Sequence, residues 1–123
     1  MKRIALILAI PLLLVLGLLI WGYAGAIADP IARQARISVP GWPSGTPPLR
    51  VALISDLHVG GPDMPPGRLA RIVTQVNAAR PDLVLIAGDL VSDKYLSTRR
   101  YSAAEAVAPL ARLKPALGVV AVL

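Results

Sequence analysis

Leu49-Arg50-Val51-Ala52-Leu53-Ile54-Ser55-Asp56-Leu57-His58 runs an aliphatic stretch directly into a carboxylate and an imidazole. Leu83-Val84-Leu85-Ile86-Ala87-Gly88-Asp89-Leu90 repeats the arrangement with a second carboxylate. Short aliphatic runs bounded by turn residues read as strands of a parallel sheet buried on both faces. Open α/β sheets place their ligands just outside the C-terminal ends of such strands. Two residues apart in extended backbone, Asp56 and His58 project to the same side and can grip one ion together. Asp89 reaches the same edge from the neighbouring strand end. The pattern is that of the first half of a metal-assisted hydrolase site.

The residues between the two runs supply the connection. Gly60-Gly61-Pro62-Asp63 turns the chain, and Pro65-Pro66 suits a helix start. Leu69, Ile72, Val73 and Val76 then keep an i, i+3, i+4, i+7 stripe, which predicts an amphipathic helix over 66–79 closed by Arg80-Pro81. Asp82 is expected to cap the loop before the second strand. Strand, helix and strand with short connections make a right-handed βαβ unit. A further unit follows. Ser102-Ala103-Ala104-Glu105 is a capping box opening a helix that carries Val107, Leu110 and Leu113; Pro109 should kink or divide it. Residues 118–123 are a third aliphatic strand, after which the pattern calls for more ligands and the sequence ends.

Single residues have plainer readings. Asp63 and Asp93 suit turns or caps, and Arg99-Arg100 suits a solvated loop better than a phosphate contact. Ser55 has no base partner other than His58, the one histidine of the chain, so it is not read as a nucleophile. Neither G-x-G-x-x-G nor G-x-x-x-x-G-K-[ST] occurs, which removes support for nucleotide binding of the Rossmann kind.

The chain has 123 residues, a net charge of +6 and a hydrophobic fraction of 55%, and the apolar excess is concentrated at the N-terminus. No charged residue occurs from position 4 to 28, and about 20 apolar residues suffice to cross a bilayer core. Met1-Lys2-Arg3 precedes this run, and Trp21 and Tyr23 fall where an aromatic belt would meet the far headgroups. Ala24-Gly25-Ala26 and Ala26-Ile27-Ala28 also match a signal-peptidase pattern, but the apolar run exceeds the roughly 7–15 residues of a signal-peptide core. A retained anchor is the favoured reading. Lys2 and Arg3 place the N-terminus inside and the remainder outside. Cysteine is absent, so any metal must be held by oxygen and imidazole. The basic residues are scattered and phenylalanine is absent, which argues for a surface near anionic headgroups rather than a nucleic-acid partner.

Three parts are expected: an anchor over 1–28, a Pro/Gly-rich juxtamembrane linker over 29–48, and an α/β domain over 49–123. Within the linker, Ala35, Ile37 and Val39 alternate with Arg36 and Ser38 as a short extended piece.

Ile54-Ser55-Asp56-Leu57-His58, the following Gly88-Asp89-Leu90 and the strand ending in Ala121-Val122-Leu123 together resemble the calcineurin-like metallophosphoesterases, and most of all their bacterial membrane-associated branch. The resemblance covers 49–123. It implies that Asp56 and His58 bind a first metal and that Asp89 bridges to a second, with two divalent ions (Mn, Fe or Zn) as cofactors. It further implies an α/β sandwich, of which this chain is the first βαβαβ part behind a transmembrane helix, and hydrolysis of phosphomonoesters or phosphodiesters. The family's G-N-H-[DE] motif and its later histidines have no counterpart here. The expectation is therefore an N-terminal fragment, inactive alone, of a single-pass protein of the bacterial inner membrane with its domain on the periplasmic side. Its substrate would be a phosphoester, which anchoring makes plausible as lipid-linked. The alternative is a non-catalytic, membrane-tethered α/β module.

Overall fold

The computed structural model describes residues 2–92 and 97–122; Asp93 and the final strand residue Leu123, both assigned a role above, lie outside them. Helix α1, Lys2–Ile27, takes up the uncharged run, with Pro11 inside it. Its segment Ile7–Ile27 is long and apolar enough to cross a membrane. At 1.5 Å per residue its 21 residues reach roughly 31 Å, close to a bilayer's hydrocarbon thickness. From there to Arg50 the chain is exposed and adopts no regular element, so the alternating piece at 32–39 is not a strand. An isolated alternating segment with no ladder partner gains nothing from the extended form.

Three parallel strands follow: β1 (Val51–Ser55), β2 (Leu83–Ala87) and β3 (Val119–Val122), in the spatial order β1-β2-β3. Leu53 pairs with Leu85, and Leu85 with Val120. The connections are α2 (Pro66–Ala78), then α3 (Ala103–Val107), which passes directly into a 3₁₀ turn at Ala108–Arg112. Pro109 thus divides the last helix as its missing N–H requires. The Ser102 capping box forms as spelled, with Ser102 N–H donating to Glu105 Oε2 at 2.8 Å and Glu105 N–H to Ser102 Oγ at 3.3 Å.

Helix α2 starts at Pro66 on the first helical position and ends one residue before the predicted boundary, with Arg80 at φ 49. Arg50 seals that end, donating from Nη1 to the carbonyl of Ala79 at 3.0 Å, where a cation favours the helix dipole. Asp82 does act in the loop before β2: its carboxylate accepts the Arg50 N–H at 2.7 Å, locking the starts of β1 and β2 together. Asn77 binds α2 to the 3₁₀ turn, donating to the Arg112 carbonyl at 2.8 Å and accepting from Lys114 N–H at 3.0 Å.

The core lies between α2 and one face of the sheet. Leu69, Ile72 and Val73 are buried against Ile54, Val84 and Ile86, and Ala106 closes the side. Two successive crossovers of one hand, stepping the same way from β1 to β2 to β3, put both connections on one face. The opposite face is bare. Leu53 is 68% exposed, and Val51, Val120 and Val122 are also exposed, so the expected burial of the first strand on both faces does not hold here.

Candidate metal centre

The register Ser55↔Ala87 sets the C-terminal ends of β1 and β2 side by side. Pairing then continues into the loops. His58 N–H donates to the Asp89 carbonyl at 2.8 Å, Val59 N–H to that of Leu90 at 2.9 Å, and Ser92 N–H to that of Val59 at 3.1 Å. Leu57 and Val59 are buried, which leaves the intervening His58 and the preceding Asp56 facing outward.

The backbone at these positions is not extended. Asp56, His58 and Asp89 lie at φ 53, 41 and 33, in the left-handed region, and Gly88 joins them at φ 63. Non-glycine residues visit this region at a cost, least for Asn, Asp and His, and such residues gather at functional sites. The two-residue spacing does bring Asp56 and His58 together, but through local turns rather than through the alternation of a strand.

A pair of glycines holds the loop that follows. A Cβ on Gly60 would stand 2.7 Å from Cβ of Ser92, and one on Gly61 2.7 Å from Thr98 Oγ1 and 3.0 Å from the Arg99 nitrogen. Gly61 N–H donates to the Arg99 carbonyl at 2.9 Å, and Ser97 Oγ donates to the carbonyls of Gly61 and Arg99. The 97–99 segment therefore buttresses the loop carrying His58. This support was invisible in the sequence, although the Gly60-Gly61 doublet is its trace. Arg99 is placed over the Tyr101 ring, 5.0 Å from its centroid.

Asp56, His58 and Asp89 each offer one donor atom, all within 4.8 Å of one another, with the two carboxylates exposed and the imidazole half-buried. His58 Nε2 lies 3.6 Å from Asp89 Oδ2. Two carboxylate oxygens and one imidazole nitrogen suit a hard or borderline divalent cation. The donor set fits such an ion while leaving positions for other ligands. An open groove of about 510 Å³ starts at Asp89 and runs past Leu90 and Val91 to Ala103, Ala104 and Val107 on α3. Sequence reasoning did not find this groove, because residues remote along the chain form its wall.

Paired strand ends, a carboxylate-imidazole donor set and an open groove share one edge of this parallel α/β sheet, and residues 49–122 match the family model for calcineurin-like phosphoesterases. The chain belongs to that family. It is 41% identical over 101 residues to a Danio rerio transmembrane protein with a metallophosphoesterase domain, covering 82% of this chain and 22% of that protein. A Caenorhabditis elegans protein provisionally named a metallophosphoesterase is 40% identical over 111 residues, covering 88% of this chain and 22% of its own length. A Bos taurus transmembrane protein with a metallophosphoesterase domain is 29% identical over 117 residues, covering 95% and 25% respectively. The chain thus spans about a quarter or less of the length of these relatives. No solved structure matches it significantly.

Proposed function

We propose that this protein is a membrane-anchored, metal-dependent phosphoesterase in which Asp56 and His58 hold one divalent ion and Asp89 bridges to a second. The convergence of three donor atoms within 4.8 Å at one sheet edge is the observation that carries the reading. Ions of the class proposed above (Mn, Fe or Zn) would activate a water and neutralise charge developing on the phosphoryl group. The protein's own part is positional. The His58–Asp89 backbone bond fixes the two donors relative to each other, and the exposed carboxylates leave room for a phosphate to approach. Three donors are fewer than two ions require, so further ligands must complete the centre in the active form. The family's Asn-His motif, which these 123 residues lack, is the expected source.

Membrane attachment rests on the 21-residue apolar segment of α1 and on relatives named as transmembrane proteins. The single-pass topology with the domain outside rests on Lys2 and Arg3, which precede the apolar segment of α1. Assignment to the bacterial inner membrane rests on the branch resemblance alone, since the relatives above are animal proteins. The metal site is tested by titrating the purified protein with Mn²⁺ and following the free-ion electron paramagnetic resonance signal. Wild type should remove signal, while an Asp56→Asn/Asp89→Asn variant should not. Equal uptake by both would refute the assignment.

A further inference from the structure

The structure ties the exit of α1 to the flank of α2. Arg68 donates from Nη1 to the Ala26 carbonyl at 2.7 Å and from Nη2 to the Ala28 carbonyl. The last carbonyls of a helix have no partner within it, and a cation there also meets the favourable end of the helix dipole. One and two turns further along α2, Arg71 Nε meets Asp29 Oδ1 at 3.2 Å and Gln75 donates to the Pro30 carbonyl at 3.0 Å. Tyr23 and Ile27 line a cleft of about 210 Å³ with Pro62 and Pro65, in the loop that leaves the His58 strand end.

The order of these contacts gives a direction. Residues 26, 28, 29 and 30 meet positions 68, 68, 71 and 75, so the chain emerging from α1 runs from the start of α2 toward its end. The start of α2 lies at the C-terminal edge of the sheet, because the loop after β1 leads directly into it. Its end lies at the opposite edge, where Ala79 is held by Arg50 at the head of β1. The exposed body of α1 therefore meets the domain on the side of Asp56, His58 and Asp89.

The geometry points to a juxtamembrane clamp, formed by Arg68, Arg71 and Gln75, that turns the metal-bearing edge toward the bilayer. The substrate class that follows is a phosphoester presented in the membrane interface, on a lipid headgroup. This rests on the phosphoesterase reading; the orientation itself does not. An exposed linker could have let the domain wander, but three side chains of α2 grip the chain from Ala26 to Pro30, at the end of α1 and the very start of that linker.

The test uses the protein in nanodiscs containing a gadolinium-chelating lipid. Because the chain has no cysteine, single nitroxide labels can be placed at Ala103→Cys, beside the Asp89 groove, and at Ala79→Cys, at the far edge. Relaxation by headgroup gadolinium should be stronger at position 103. Equal or reversed relaxation overturns the orientation. The difference should collapse in Arg68→Ala/Gln75→Ala and in Arg71→Ala/Gln75→Ala. The second pair spares the Arg68 bond to the Asp63 carbonyl inside the domain. An unchanged difference in both folded variants overturns the clamp. In the active form, the Arg71→Ala/Gln75→Ala change should lower turnover of phosphatidic acid in the same discs roughly tenfold or more by misplacing the site. Turnover of soluble 4-nitrophenyl phosphate should hold. Equal loss on both overturns the substrate assignment. Hydrolysis of neither by wild type defeats the phosphoesterase reading and this substrate class, while the relaxation contrast still decides the orientation.

Discussion

His58 and Asp89 meet twice: the His58 N–H donates to the Asp89 carbonyl at 2.8 Å, and His58 Nε2 lies 3.6 Å from Asp89 Oδ2. The backbone bond places the two side chains without help from their charges. That matters because an exposed ion pair alone contributes little. The donor set is therefore assembled by strand registry, and a substitution that keeps the backbone bond should change chemistry without changing the fold.

Asp89→Asn is such a substitution. It preserves shape and backbone while removing the charge proposed to bridge two ions. In the active form, Mn²⁺-dependent hydrolysis of an aryl phosphodiester should fall by about two orders of magnitude or more, with the circular dichroism spectrum unchanged. Turnover near wild type would exclude Asp89 as the bridge.

Gly61→Ala should be costly although alanine is small. The added Cβ would sit 2.7 Å from Thr98 Oγ1 and 3.0 Å from the Arg99 backbone nitrogen, and the latter cannot rotate away. Overpacking of this kind costs about 1–3 kcal/mol. Chemical denaturation should show it, and Mn²⁺ affinity should weaken as the loop carrying His58 shifts.

Leu69→Ala and Leu53→Ala should differ sharply in this 123-residue chain. Leu69 is 1% exposed in the core, where the change costs about 2–5 kcal/mol. Leu53 is 68% exposed on the bare face, where substitutions usually stay within about 0.5 kcal/mol. Similar shifts in the denaturation midpoints would contradict the one-sided core.

Glu105 gives a pH dependence. Hydrogen bonds from the Ser102 backbone and then from its hydroxyl hold the Glu105 carboxyl below its ordinary value of 4.5. A lowered folded value means that the capping box contributes fully above the ordinary range and is lost as pH falls through the lowered value. Carbon-13 titration of the Glu105 carboxyl should report the low value, and Ser102→Ala should raise it. Because that variant keeps the backbone N–H, an unchanged titration would remove the Ser102 hydroxyl as a contributor and leave the backbone bond as the cause.

Much of the architecture was legible because its signals are local. The stripe of Leu69, Ile72 and Val73, the Ser102/Glu105 box and the break at Pro109 each depend on residues within a few positions of one another. That Asp56, His58 and Asp89 would come together was legible because strand ends predict which residues share an edge. Their left-handed backbone was not foreseen, since an aspartate or histidine letter does not announce a positive φ. The exposure of Leu53 was missed for another reason: an aliphatic strand looks the same whether one or both faces are covered. The grip of Arg68 on Ala26 joins residues 42 apart in sequence and left no periodic trace.

One bond couples the site to the least protected strand. Gly88 N–H donates to the Val122 carbonyl at 2.9 Å, and every described residue of β3 is exposed. Strands with few buried side chains open with less free energy than the core and do so as a unit. Each excursion of β3 releases Gly88, whose φ of 63 sets the bend leading to Asp89. Fraying of a strand that carries none of the three donors would thus unsettle Asp89, the carboxylate proposed above as the bridge.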